Sequence, residues 1–145
     1  MFVSNDAQSL EILVVDDDKV VTLLHKNLLR NSGLNWPPVI CENGLEAFKY
    51  IEKNDGDRKH FLIFLDLNMP VLNGWKFLKK LKKLELLSRV NVVIVTSSIN
   101  QKDYLKAQKY ESVLYYCKKP MRLECIEKIM DHEVLKPFFT DVTAQ

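Results

Sequence analysis

The sequence predicts an α/β domain: a doubly wound sheet of five parallel strands with helices on both faces. Two observations predict it. Five short apolar runs are each followed, across a brief polar connection, by apolar residues at helical spacing, and such alternation gives parallel neighbours joined by right-handed crossovers. Four of the runs end on or close to chemically distinctive residues, namely Asp16-Asp17, Asp66, Thr96 and Lys119. The carboxyl edge of a parallel sheet is where ligands collect.

The first strand is read over Ile12 to Val15, an apolar run that stops at Asp16, Asp17 and Asp18 as a buried strand does at a polar edge. The helix after it takes Val21, Leu24, Leu28 and Leu29 as its inner stripe and stops at Asn31, Ser32 and Gly33. Trp36, Pro37 and Pro38 mark a connection. Val39 to Cys41 form the second strand, and Leu45, Ala47, Phe48 and Ile51 the inner stripe of a helix that begins near Asn43 and breaks at Asn54, Asp55 and Gly56.

Phe61 to Leu65 form the most apolar strand, ending on Asp66 before the turn-rich stretch Asn68 to Gly74. In the next helix Phe77, Leu78, Leu81 and Leu84 point inward, which leaves Lys76, Lys79, Lys80, Lys82 and Lys83 as a solvated face rather than a phosphate-binding patch. Val92 to Val95 run into Thr96, Ser97 and Ser98, with Asn100 and Asp103 spaced like a capping pair. The helix there has only Tyr104, Leu105 and Ala107 to bury, so it is expected to be among the least firmly held elements. Val113 to Tyr116 is the last strand, leading through Lys118, Lys119 and Pro120 to a helix carrying Leu123, Ile126, Ile129 and Met130.

A chain of 145 residues fits one core, and 47% apolar with 28% charged residues is the mixture of a globular protein. The 21 basic and 19 acidic residues leave a formal charge of +2, too weak a field to argue for nucleic acid. Cys41, Cys117 and Cys125 form no CxxC pair and are odd in number, which points to packing roles and a reducing compartment. With no basic leader and no apolar run of membrane-spanning length, the expected location is cytoplasmic, with no membrane partner. The expected division is an N-terminal extension over 1–9, one domain over 10–133 and a tail over 134–145, whose Phe138 and Phe139 cover either the domain's own helices, the favoured reading, or a dimer partner.

Gathering Asp16, Asp17 and Asp66 at one edge is electrostatically unfavourable unless a cation relieves it, so the constellation calls for a hard divalent ion. Mg²⁺ suits it, with Mn²⁺ as an alternative. One lysine, one threonine hydroxyl and such an ion around an aspartate are the parts that neutralise a transferring phosphoryl group.

In their order along the chain, Asp16-Asp17 after ILVV, Asp66 in LDLNMPVLNG, Thr96-Ser97 after VVIV and Lys119-Pro120 resemble the receiver domains of two-component response regulators, from Glu11 to about Met130. The stretches TSSIN and YYCKKP are further similar to stand-alone receivers of the phytochrome-associated type. The resemblance implies a flavodoxin-like strand order 2-1-3-4-5 and a single-domain switch, not a turnover enzyme. Asp66 would accept a phosphoryl group from a histidine kinase or histidine phosphotransfer protein, and the chain would catalyse both its own phosphorylation and its slow hydrolysis. It implies that Asp17, Asp66 and the Asn68 backbone carbonyl hold Mg²⁺, with Asp16 acting largely through metal-bound water. Lys119 and Thr96 would contact phosphoryl oxygens. Ser97 would leave the approach open, and Asn68 and Ser98 would set the adduct's lifetime. Gly74 would occupy a loop position that excludes side-chain bulk, and Lys119-Pro120 would be cis. Tyr116 would follow Thr96 inward and remodel the surface of the fourth helix, fifth strand and fifth helix, toward a downstream protein or a second copy of the chain.

Plainer readings stand beside these. Asp18 reads as a helix N-terminal residue rather than a third ligand, and His25, His60 and His132 as surface or hydrogen-bonded histidines. Tyr115 and Tyr116 could be core packing, the register of Tyr116 with Lys119 favouring the switch. The run Asp16 to Val20 also fits the DxDxV nucleophile motif of haloacid-dehalogenase-like phosphatases, but only Glu124, Glu127 and Asp131 follow Lys119 closely, and that reading leaves Asp66 unexplained. A receiver-shaped binding module that signals without phosphorylation is the second rival; such modules usually lose an acid or the lysine, and none is missing.

Overall fold

The computed structural model describes residues 8–33, 37–98 and 100–139. The first seven residues of the expected N-terminal extension, Trp36 of the first connection and the tail from 140 onward lie outside the described residues. The elements are β1 (Ser9–Val15), α1 (Lys19–Asn31), β2 (Val39–Cys41), α2 (Gly44–Lys53), β3 (Lys59–Leu65), α3 (Gly74–Lys83), β4 (Arg89–Thr96), α4 (Gln101–Ala107), β5 (Val113–Lys118) and α5 (Leu123–Asp131). The strands form one parallel sheet in the order β2-β1-β3-β4-β5. This is the doubly wound architecture the sequence predicts.

Alternate strand residues face opposite sides, so the near-continuous apolar strands feed two cores. Leu13, Val15, Phe61, Ile63, Leu65 and Ile94 meet Ala47 and Ile51 of α2, Phe77, Leu78 and Leu81 of α3, and Ala107 of α4. Ile12, Val14, Leu62, Phe64, Val93 and Val95 meet Leu29 of α1 and Ile126 and Ile129 of α5. Leu135 and Phe139 also lie in this second core, and the Phe138 ring meets the edge of His60. No described helix is long and apolar enough to cross a membrane.

Four details differ from the sequence reading. The α1 side chains that are buried are Thr22, His25 and Leu29, while Leu24 is exposed. Apolar residues on several sides of this helix make its inner face ambiguous from spacing alone. Leu45 and Leu123 are likewise exposed, each lying at the first turn of its helix near the open edge of the sheet. Asn100 caps α4 by accepting from the Lys102 N–H, but Asp103 accepts from the Ser98 hydroxyl at 2.9 Å instead of closing a reciprocal pair. Finally, Cys117 on β5 and Cys125 on α5 form a disulfide, with Cα atoms 6.7 Å apart, while Cys41 is free and buried. The expectation of packing cysteines in a reducing compartment is thus corrected: two of the three are paired, because α5 folds back along β5 and brings together positions eight apart in sequence, and a reducing compartment does not favour such a pair.

Between Val92 and Val93 the β4–β5 register shifts, so that Val113 opposes Val92 but Tyr115 opposes Val93. The extra residue on β5 re-aims the side chains beyond it. Tyr116 thereby lies on the α4 side of the sheet, and Tyr115 and Cys117 on the α5 side.

Candidate functional site

The carboxyl ends of β1 and β3 are adjacent and held in step by the Asp66 N–H, which donates to the Val15 carbonyl at 3.0 Å, while the Asp16 N–H donates across to the Cys41 carbonyl of β2, also at 3.0 Å. That pairing carries the acids of two separate segments to one point. One carboxylate oxygen from each of Asp16, Asp17 and Asp66 falls within 4.8 Å of the others. Asp16 and Asp66 are buried, Asp17 exposed. Asp18, the fourth acid nearby, turns away to cap α1, accepting from the Val20 and Val21 N–H groups at 2.9 and 3.2 Å.

Lys119 follows β5, its N–H donating to the Thr96 carbonyl at 2.9 Å, after a strand end that aligns with that of β4. Its ammonium lies 2.8 Å from Asp16 Oδ2 and 3.3 Å from Asp66 Oδ2. The Lys119-Pro120 peptide is cis. Burial alone would lower the Lys119 pKa, but the Asp16 hydrogen bond and the charges of Asp66 and Asp16 outweigh it and hold the ammonium above its ordinary range. Burial and the neighbouring Asp16 charge push the Asp66 carboxyl up, against the partial relief that Lys119 and the Asn68 N–H provide. One lysine does not satisfy the buried acids. Three hard oxygen donors at this spacing, on an open edge where water can complete a coordination shell, suit a divalent cation of the Mg²⁺ kind.

Thr96 is fully buried at the end of β4, its hydroxyl oxygen accepting from the Ser98 N–H at 3.2 Å. Ser97 is exposed beside it and Asn68 is exposed at the β3 end, where its N–H donates to Asp66 Oδ1 at 3.3 Å. Tyr116 is half-buried. Its hydroxyl donates to the Ser98 carbonyl at 3.4 Å and its ring meets Tyr104 of α4 edge-on at 5.5 Å. Asp16, Asp17, Asp66 and Lys119 therefore form one cluster, while Tyr116 touches the Thr96–Ser98 loop and α4 and stands off from the carboxylates. Gly74 closes the floor: a Cβ there would sit 2.7 Å from the Asp66 carbonyl oxygen and 2.8 Å from Leu67 Cα. Only glycine allows α3 to start so near the acid-bearing loop.

One contributor is missing from the sequence reading. His25, buried in α1, accepts the Met121 N–H on Nε2 at 3.0 Å and so ties α1 to the loop that carries Lys119. Burial keeps its pKa below the ordinary value, with Asp16 opposing and Lys119 reinforcing the shift, so the ring is a neutral acceptor. Spacing gives no sign of this, because the partners are 96 residues apart.

A family model for the response regulator receiver domain matches residues 12–138. The chain is 32% identical over 133 residues to the probable transcriptional regulator ycf29 of Pyropia yezoensis, covering 88% of this chain and 56% of that one. To the response regulator Rcp1 of Synechocystis sp. it is 29% identical over 110 residues, 74% of this chain and 75% of the relative. The chain thus spans about half the length of the ycf29 relatives and three quarters of Rcp1.

Among solved structures, a two-component response regulator from Cytophaga hutchinsonii superposes with a TM-score of 0.73 at 22% identity, over 86% of this chain and 96% of that one. The bacteriophytochrome response regulator AtBRR gives 0.68 at 26% identity, over 83% and 89%. The receiver domain of the sensor histidine kinase PA1611 from Pseudomonas aeruginosa, described with a magnesium ion coordinated in its active-site cleft, gives 0.67 at 24% identity, over 86% and 94%.

Proposed function

The chain belongs to the response regulator receiver domain family, and from that premise we propose that it is a phosphorylation switch whose acceptor is Asp66. The observation that carries this reading is the gathering of Asp16, Asp17 and Asp66 within 4.8 Å, beside an ammonium that touches two of them. An Asp66 carboxylate oxygen attacks the phosphorus of a phosphohistidine on a histidine kinase or histidine phosphotransfer protein. The O–P bond forms as the P–N bond breaks, and the electron pair returns to the imidazole, which takes a proton from solvent. Water later attacks the same phosphorus, the O–P bond to Asp66 breaks with its electron pair returning to the carboxylate, and inorganic phosphate leaves with the water's oxygen.

Asp16, Asp17, Asp66 and the Asn68 carbonyl would hold Mg²⁺, the ion described in the PA1611 neighbour, or Mn²⁺ in its place. When bound, the ion supplies positive charge against the phosphoryl oxygens. Lys119 is close enough to leave Asp16 for a phosphoryl oxygen, and the raised Lys119 pKa keeps it cationic for that role. Thr96 donates its hydroxyl to another oxygen once drawn from the Ser98 N–H, and exposed Ser97 and Asn68 with half-buried Ser98 control how water enters. Tyr116 then loses its Ser98 partner and moves inward, which changes the α4, β5 and α5 surface presented to a downstream protein or a second copy. Phosphate need only favour one of two arrangements within a few kcal/mol of each other. In this reading the chain acts in the cytoplasm, where kinases hold their phosphodonors.

The test is incubation with Mg²⁺ and acetyl phosphate, read by intact mass. The expected result is a single phosphoryl adduct, stable in acid, labile in base, absent without the metal and absent in Asp66→Asn. No adduct in the native chain would leave a binding module that signals without phosphorylation. Turnover of small phosphate esters that is lost in Asp16→Asn and kept in Asp66→Asn would instead establish the phosphatase alternative.

A further inference from the structure

The near-neutral chain conceals a strong local asymmetry. Of its 21 basic and 19 acidic residues, nine and two lie within 74–109, leaving 12 and 17 for the remainder. Read along α3 alone, these lysines look like the solvated face of one amphipathic helix. The fold gives them a second wall. Lys79 and Lys82 of α3 and Lys102, Lys106 and Lys109 on and just after α4 border one cleft of about 580 Å³. Leu105, half-exposed, and the Tyr110 ring supply its apolar surface. The segment's two acids do not border it: Asp103 is engaged by Ser98, and Glu85 lies beyond the end of α3. Among the described residues, none of the five lysines is paired with a carboxylate.

Five like charges around an apolar floor repel one another, and inside the described chain only Lys82 and Lys106 are offset, by the faces of Tyr110 and Trp75 and by no carboxylate. We propose that this α3–α4 cleft docks an acidic, amphipathic segment of a partner protein, with apolar side chains seated on exposed Leu105 and the methylene stems of the bordering lysines and carboxylates facing their ammoniums. Several features select a protein segment over nucleic acid. The cleft has no arginine to grip phosphates in a bidentate fashion. Its aromatic faces are already covered, since the Lys82 ammonium lies 5.9 Å from the Tyr110 ring centre and that of Lys106 lies 4.4 Å from the Trp75 ring centre, so bases have no stacking platform. A concave apolar floor with charges on its rim is the usual seat for one face of an amphipathic helix.

The cleft is lined by none of the residues of the Asp66 site and the inference does not rest on phosphotransfer, so the unphosphorylated full chain is used. Fluorescence anisotropy is measured with a labelled amphipathic peptide carrying leucine at helical spacing and glutamate elsewhere. Parallel probes are the same peptide with serine for leucine, and a single-stranded oligonucleotide of equal charge. Lys82→Glu/Lys106→Glu is expected to weaken peptide binding about tenfold or more, while Lys49→Glu/Lys53→Glu on exposed α2, with the same change in net charge, weakens it less than about threefold. Leu105→Ser and the serine peptide are each expected to lose about fivefold. Thermal melts establish that all variants fold. Any one of three results overturns the proposal: no peptide binding at about 1 mM, equal losses in the two charge reversals, or an oligonucleotide or serine peptide that binds as tightly as the leucine peptide.

Discussion

Two aspartates flank β3 and are treated in opposite ways. Asp55, before its amino end, accepts from the Leu87 and Ser88 N–H groups at 2.9 to 3.1 Å and from the Ser88 hydroxyl. Those donors outweigh burial and hold its pKa below the ordinary carboxylate value. Asp66, past the carboxyl end, has one backbone donor at 3.3 Å and shares Lys119 with Asp16, and its pKa is held above the ordinary value. At the amino end the Asp55 carboxylate is satisfied from within the chain. The carboxyl end holds a carboxylate that burial and the Asp16 charge leave short of donors, the kind of perturbed group that marks a candidate functional site.

The comparison predicts opposite outcomes for two substitutions. Asp66→Asn is expected to abolish the acyl phosphate adduct completely, yet to raise the melting temperature of the metal-free protein by about 2 to 5 °C. The sign follows from the raised pKa. Above its ordinary value of 3.8 the folded state binds more protons than the unfolded chain, so stability falls as pH rises from there through the folded value. The advantage of the amide should therefore be absent near pH 3 and present at pH 7; a lower melting temperature for Asp66→Asn at pH 7 would show that the Asp66 carboxylate stabilises the metal-free fold. Asp55→Ala should do the reverse. Losing the carboxylate that holds the part-buried Ser88 donors and the exposed Leu87 N–H costs about 1 to 2 kcal/mol, measured by urea unfolding, and the adduct forms at the native rate.

Two buried histidines extend the contrast. His25 holds the Met121 N–H near the site, while His60, next to the amino end, has Nε2 2.6 Å from Asn91 Oδ1 and Nδ1 without a partner among the described residues. His25→Leu is expected to cost about 1 to 2 kcal/mol and also to slow adduct formation, because the loop bearing Lys119 loses its tie. His60→Leu should spare the adduct. Both rings have lowered pKa values, chiefly from burial. In each case the unfolded state binds more protons below 6.5, so the contribution is complete above that pH and is lost as pH falls through the folded value. Melts of the native chain and both variants across that range should show a shallower acid decline in each variant. Equal slowing of the adduct by the two leucine variants would mean that His25 acts only through global stability.

What could be read from the sequence is what rests on local pattern. Strand ends at Asp16, Asp66 and Thr96 follow from apolar runs that stop at polar residues, and the parallel sheet from their alternation with helices. The inner stripe of α3 is legible because Phe77, Leu78 and Leu81 recur against a lysine background. In α1 the apolar residues surround more of the helix, so only the fold selects Thr22, His25 and Leu29. Pairings across long separations leave no trace: His25 with Met121, Asp55 with Ser88, and the two lysine-bearing walls of the α3–α4 cleft. The side of the sheet to which Tyr116 belongs depends on the register shift at Val92/Val93, which spacing within β5 cannot reveal.

Backbone strain is the smallest difference between the two ends. Val71, at the turn between β3 and α3, has φ +69° and is 73% exposed. It is the only non-glycine residue at positive φ among the described residues. A β-branched side chain is poorly suited to that region because its Cβ substituents crowd the backbone, and an exposed one recovers nothing by packing. Asparagine tolerates the left-handed conformation, so Val71→Asn is expected to stabilise the fold by about 0.5 to 1 kcal/mol in urea unfolding. The same change should leave Asp66 phosphorylation intact if the strain is incidental, and slow it if the strained turn helps hold the Asp66 to Asn68 loop in place. An unchanged unfolding midpoint would show that the carboxyl end differs from the amino end in its unpaired charge alone, with no contribution from a strained backbone.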